Sequence, residues 1–185
     1  MQKIIISVFG PDRPGILASV SRILFEEDCN IEDVTQTILQ TEFAGIFIAQ
    51  IPADKSVEWI EDRLNDALNP TELKATVKVL KGAAEPALKG KQTEPFVITT
   101  RGPDRKGLVA AITGVIAGYG VNVTHLKAVF RGGDNPYDNM MIYEVDIPVD
   151  IDRQRFHQEL RQKAESLGLM ISLQHRTIFE TINRV

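Results

Sequence analysis

The sequence predicts an α+β protein built from two copies of one βαββαβ unit, each a four-stranded antiparallel sheet with two helices on one face. Three observations carry this. Gly10-Pro11-Asp12-Arg13-Pro14-Gly15 recurs as Gly102-Pro103-Asp104-Arg105-Lys106-Gly107, five of six residues identical at an offset of 92. The apolar stripe Ile16, Leu17, Val20, Ile23 and Leu24 returns at that offset as Leu108, Val109, Ile112, Val115 and Ile116, the spacing of one helix face. Ile51-Pro52, Leu64 and Leu73 return as Ile147-Pro148, Leu160 and Leu169 at an offset of 96, so the second copy has gained four residues, placed in the segment Arg131–Asp138.

Each copy reads in the same order. A β-rich run (2–9; 95–101) leads through the Gly-Pro-Asp-Arg turn into a helix (about 14–27; 106–119). Two strands rich in β-branched and aromatic residues follow (31–41 and 43–51; 122–131 and 139–148). A charged amphipathic helix comes next (55–69; 151–167), its buried face in the first copy being Val57, Ile60, Leu64 and Leu68. A last strand (72–81; 169–179) closes each unit. Gly82, Pro86 and Gly90 mark residues 82–94 as an exposed linker, leaving domains at 1–81 and 95–185. Right-handed crossovers make each unit a ferredoxin-like sandwich.

Composition removes several functions. Hydrophobic residues are 43% and charged residues 25%, ordinary for a soluble globular chain. The net charge is −4; residues 1–81 hold 8 basic against 13 acidic side chains and residues 82–185 hold 13 against 12. Neither half carries the basic patch that displaces phosphate counterions, so direct nucleic-acid binding is not expected. One cysteine, Cys29, excludes an internal disulfide and a thiolate cluster, and reads as a small buried residue. The opening apolar run is too short for a signal segment and no stretch approaches a membrane span, so a cytoplasmic protein is expected. His125, His157 and His175 share no metal-ligand spacing, and no catalytic or nucleotide-binding motif is present; no cofactor is expected. Tyr137 is either a partner contact or a loop-packing aromatic.

The chemistry sits at the duplicated turn. Gly15 and Gly107 lie at a helix start, where unpaired N–H groups and the positive dipole end favour a carboxylate or phosphate. Glycine keeps a side chain from holding an anion off the backbone. Pro14 suits a first helical position. Asp12 and Asp104 can cap the helix or pair with a ligand ammonium; Arg13 and Arg105 can bind a carboxylate or lie against a neighbouring domain. Asn30 and Asn122 open the second strand of each copy and are expected to return to the turn's end of the sheet. Each is either a helix C-cap or an amide that donates to and accepts from a zwitterionic amino acid.

At Asp12-Arg13-Pro14-Gly15-Ile16-Leu17 with Cys29-Asn30-Ile31, and again at Asp104-Arg105-Lys106-Gly107-Leu108-Val109 with Val121-Asn122-Val123, the chain resembles ACT domains over nearly its whole length. A free-standing tandem pair is similar to the glycine cleavage system transcriptional repressor group. The resemblance implies a non-catalytic sensor of a small amino acid, glycine among them. Such a sensor would control a separate transcription factor or enzyme by protein contact, with its ACT units paired in a homodimer or within the chain. The ligand-binding residues it implies are Asp12, Arg13, Pro14, Gly15, Ile16, Asn30 and Ile31, then Asp104, Arg105, Gly107, Leu108, Asn122 and Val123. Lys106 departs from the usual proline, which marks the second site as altered.

Four rival readings remain. An acylphosphatase-like hydrolase would recruit Arg13 or Arg105, but the glycine-rich cradle around that arginine is missing. A formyltetrahydrofolate deformylase carries a similar ACT segment yet needs a further catalytic domain. RNA binding on the sheet needs exposed aromatics and a basic surface, which 6% aromatics and net acidity disfavour. A ligand-independent interaction module is the account left if no ligand binds.

Overall fold

The computed structural model describes residues 2–80, 92–130 and 139–182. The chain divides into two compact units, Met1–Ala84 and Glu85–Val185. Residues 82–91 of the expected linker, and Tyr137 with its loop, lie outside the described residues. The second unit's first strand already begins at Thr93, so the last two linker positions are strand.

The first unit runs β1 (Gln2–Pro11), α1 (Ile16–Glu26), β2 (Asn30–Leu39), β3 (Glu42–Ile51), α2 (Val57–Leu68) and β4 (Lys74–Val79), with sheet order β2-β3-β1-β4 and every pairing antiparallel. Alternation decides the faces. Ile4, Ile6 and Val8 of β1, with Phe43, Phe47, Ala49 and Ile51 of β3, face the helices and are buried against Val20, Ile23, Leu24, Ile60, Leu64 and Leu68. Val57 packs at the edge of this core. Leu17, expected on the buried stripe, is 38% exposed.

The second unit repeats the plan as β5 (Thr93–Gly102), α3 (Leu108–Gly118), β6 (Asn122–Phe130), β7 (Asn139–Pro148), α4 (Arg153–Ser166) and β8 (Met170–His175), in the order β6-β7-β5-β8. Ile38 pairs with Phe43 in the first sheet, and Phe130 with Asn139 in the second. The registers therefore coincide, and the four extra residues fall between 130 and 139, as the offsets require. Both second strands also carry a bulge at equivalent places, Glu32 and Thr124, an irregularity that offset matching cannot reveal. β8 ends at His175 and a short helix, α5 (Arg176–Ile182), takes up residues expected to extend the strand. Its β-branched composition misled; the Arg176 guanidinium is instead held by Glu144 of β7 at 3.3 Å, and tertiary context overrides weak propensity.

A charged clasp fixes α1 against α2. Glu27, 6% exposed, accepts from Lys55 Nζ (2.7 Å), Trp59 Nε1 (2.8 Å) and Arg63 Nε (2.8 Å). These bonds, that from Lys55 foremost, pull its carboxyl down to about 2. Burial beside it pushes the Cys29 thiol up to about 11, an unreactive structural cysteine. The second unit inverts the arrangement. Tyr119, which corresponds to Glu27, hydrogen-bonds Glu159 of α4, and Arg155 pairs with Glu159 at 3.1 Å. Tyr119 also packs on Phe156.

Candidate functional site

The Gly-Pro-Asp-Arg turn leaves β1 and delivers the chain to α1 through Gly15, whose φ of 92° lies in the left-handed region. Gly107 repeats this at 88°. A Cβ built at either position meets nothing within 4 Å, so glycine answers the backbone angle rather than a shortage of space. The first helical bond runs from Ser19 N–H to the Gly15 carbonyl at 2.9 Å, and from Ala111 to Gly107 in the second copy. The N–H groups of Ile16, Leu17 and Ala18 precede that ladder, and no side chain caps either helix end.

Two expectations are corrected here. Asp12 and Asp104 do not cap: each stands three residues ahead of the glycine at the N-cap, too early for its carboxylate to serve the first turn. The Asp12 N–H donates instead to the Thr41 carbonyl (2.7 Å), tying the turn to the β2–β3 hairpin. Asp104 accepts from Asn139 Nδ2 at 3.0 Å. Pro14 is not the first helical residue either, because the left-handed Gly15 separates it from a helix that begins at Ile16.

A shallow concavity of about 470 Å³ opens over this turn, lined by Asp12, Arg13, Pro14, Gly15 and Ile16 with Leu17, Gln36, Ile38 and Phe43. Five sequence-predicted residues are thus brought together. Leu17, Gln36 and Ile38 were missed; the turn motif gives no sign of β2, and Leu17 was assigned to the core. Its outward position is what makes it part of the wall. In the second unit Asp104, Arg105 and Gly107 are exposed and Leu108 is buried beneath the turn.

Asn30 is not there. It pairs with Gln50, which pairs with Lys3, whereas Leu39 pairs with Glu42 and Glu42 with Pro11. Asn30 and Ile31 therefore lie level with the start of β1 and the Gly15 turn lies beyond its end, about 25 Å apart at 3.3 Å per residue. α1 carries the chain back before β2 begins, so the expectation of a shared sheet end is wrong within one unit. Asn122 and Val123 stand the same way, Asn122 opposite Asp146. Neither asparagine is a C-cap; the helices end at Glu27 and Tyr119, and both asparagines are exposed strand residues.

A larger hollow, about 680 Å³, runs along the α3–α4 surface past Ala110, Gly114 and Gly118 to Arg155 and Glu159. Arg155 and Glu159 are paired with each other there, and Lys163 completes its charged lining. No described helix is long and apolar enough to cross a membrane.

Comparison with known proteins places this geometry. The family profile described as the ACT domain matches residues 2–79 and again 94–174. A UPF0237 protein of Methanopyrus kandleri is 40% identical over 68 residues, 36% of this chain and 76% of its own length. Another from Pyrobaculum aerophilum is 28% identical over 50% of this chain and 99% of its own. A crystal structure of a protein of unknown function from Galdieria sulphuraria superposes with a TM-score of 0.74 at 25% identity, covering 94% of this chain and 98% of that one. One provisionally assigned as a glycine cleavage system transcriptional repressor gives 0.68 at 19% identity over 94% and 96%, a likeness of fold. With both of its repeats matched by one profile, the chain belongs to the ACT domain family, as a tandem of two ACT units with UPF0237 proteins among its relatives.

Proposed function

We propose that the protein is a non-catalytic regulatory sensor of a small amino acid, with glycine the first candidate. The carboxylate of the ligand faces the N–H groups of Ile16, Leu17 and Ala18, and the asparagine that completes the site comes from a second ACT unit. The observation that carries this reading is the strand register. Within one unit Asn30 and the Gly15 turn stand at opposite ends of the sheet. β2 is an edge strand, and a two-fold antiparallel pairing of β2 edges from two chains, overlapped over their full length, sets Asn30 of each beside Leu39 of the other. That brings it to the concavity at Gly15 and Ile38. Arg13 lies in the wall as a further cationic partner for a carboxylate.

A site closed by pairing couples ligand to assembly, and assembly is what a separate regulatory protein or enzyme would read by contact. Exposed Arg13 and Arg105 each share the turn with a single carboxylate, Asp12 and Asp104, and the Asp104 carboxylate is hydrogen-bonded to Asn139.

Isothermal titration with glycine, serine and larger amino acids tests the reading. Asn30→Ala removes one or two hydrogen bonds, about 0.5–1.5 kcal/mol each, so affinity falls a few-fold to tenfold or more. Gly15→Val costs more, by straining the turn and covering the N–H groups. Asn122→Ala and Gly107→Val are expected to matter less, given Lys106. If no amino acid binds at millimolar concentration, the sensor reading falls and a ligand-independent interaction module replaces it.

A further inference from the structure

We propose that Asn139 and Asp104 form an amine-binding subsite beneath the second turn, specific to the second unit; this rests on reading the turns as ligand sites. Asn139 opens β7 and is 6% exposed, directed inward with Met141 and Tyr143. Its Nδ2 donates to the Asp104 carboxylate at 3.0 Å. Its Oδ1, the other branch of the same planar group, is buried and has no hydrogen-bond partner among the described residues. A carboxylate only accepts, so the amide is held with nitrogen toward Asp104 and the carbonyl left over. Buried acceptors are rarely left unpaired, so the Asn139 Oδ1 is the atom that a donor from outside the chain would meet.

The first unit has nothing comparable. At the position of Asn139 it carries Phe43, whose ring fills the space above Gly45 to within 2.7 Å of where a Cβ would stand. In the second unit Met141 replaces that glycine, so the bulk moves two residues along the same strand and the end position is free to be small and polar. The Tyr143 hydroxyl is committed to Met141 Sδ at 3.2 Å and does not serve Asn139.

The missing donor has a definable chemistry. One atom that serves both the Asp104 carboxylate and the Asn139 carbonyl must carry at least two donor hydrogens, and beside a carboxylate it does best with a positive charge. A hydroxyl has one proton and cannot do both, and a water has two but no charge to set against the carboxylate. A primary ammonium can. A carboxylate on the same molecule suits the N–H groups at the start of α3, so the ligand class is a primary amine and its fullest form an α-amino acid.

The ¹⁵N-labelled full-length chain is titrated with methylammonium chloride, with tetramethylammonium chloride at equal ionic strength, and with glycine. The readouts are the Gly15 and Gly107 backbone amides and the Asn139 side-chain NH₂. Methylammonium is expected to move the Asn139 and Gly107 signals and leave Gly15 in place, while tetramethylammonium, charged but without N–H, moves none. Asn139→Leu, and Asp104→Asn at an exposed position that leaves folding intact, each weaken methylammonium about tenfold. Equal responses to both cations, or variants that bind as the wild type does, overturn the proposal. Glycine shifts without a methylammonium response sink this subsite and leave the sensor reading standing. A specific methylammonium response with no amino acid bound does the reverse.

Discussion

Gly15 was legible as a special residue, and the structure adds a left-handed backbone angle to the reason its motif suggests. Space is open around it and φ is positive, so Gly15→Ala is expected to cost about 1 kcal/mol through backbone strain alone. Gly15→Asn, which tolerates that angle, should recover most of the loss in urea denaturation; equal costs for both would point to sterics instead. Asn30 shows the opposite limit: its identity and strand position are readable, and its distance from the turn follows from the order strand–helix–strand, because α1 returns the chain to the starting end of β1, a return that the expected shared end neglects. Glu27 was invisible as a special residue, since its three partners arrive from α2 and the loop before it. Its folded carboxyl lies near 2, below the ordinary 4.5, so the stabilisation is present above about pH 4.5 and is lost as pH falls toward 2. The protein's one tryptophan, Trp59, touches this carboxylate. Its fluorescence in urea melts should show first-unit stability falling over that window, and Glu27→Gln should flatten the dependence.

Helices and strands were located by period, and their ends moved by a residue or two where glycine or bulges intervened. Only α5 was misassigned, because Thr177, Ile178 and Phe179 read as strand formers. Core pairing between elements was out of reach of the pattern. Phe43 over Gly45 and Asn139 beside Met141 are alternative large–small solutions at one place in the two sheets. Gly45→Ala is therefore expected to destabilise the first unit by about 1–3 kcal/mol as the Phe43 ring is displaced. Adding Phe43→Leu should return part of that, a coupling visible in a double-mutant cycle. β2 makes the other element-level prediction. It is ten residues long, with Val34, Ile38 and Leu39 exposed at 41%, 51% and 74%, an edge that invites pairing. Ile38→Lys should lower self-association at least tenfold in sedimentation velocity; unchanged assembly would remove β2 as the interface.

At the scale of the molecule the duplication was the clearest signal in the sequence, and each copy holds its own buried cluster. We propose that each half folds alone: fragments 1–81 and 92–185 should give cooperative melts separately, and an unfolded fragment would contradict that division. Two similar halves on one chain also create a hazard during folding, because a helix of one can dock on the sheet of the other. The inverted clasps bear on that hazard. α3 placed against α2 would bring Tyr119 where Lys55 and Arg63 require a carboxylate. α1 placed against α4 would set Glu27 against Glu159. The first exchange forfeits the ion pairs of Lys55 and Arg63 and the second sets two carboxylates together, so the polarity of each clasp favours the pairing of α1 with α2 and of α3 with α4.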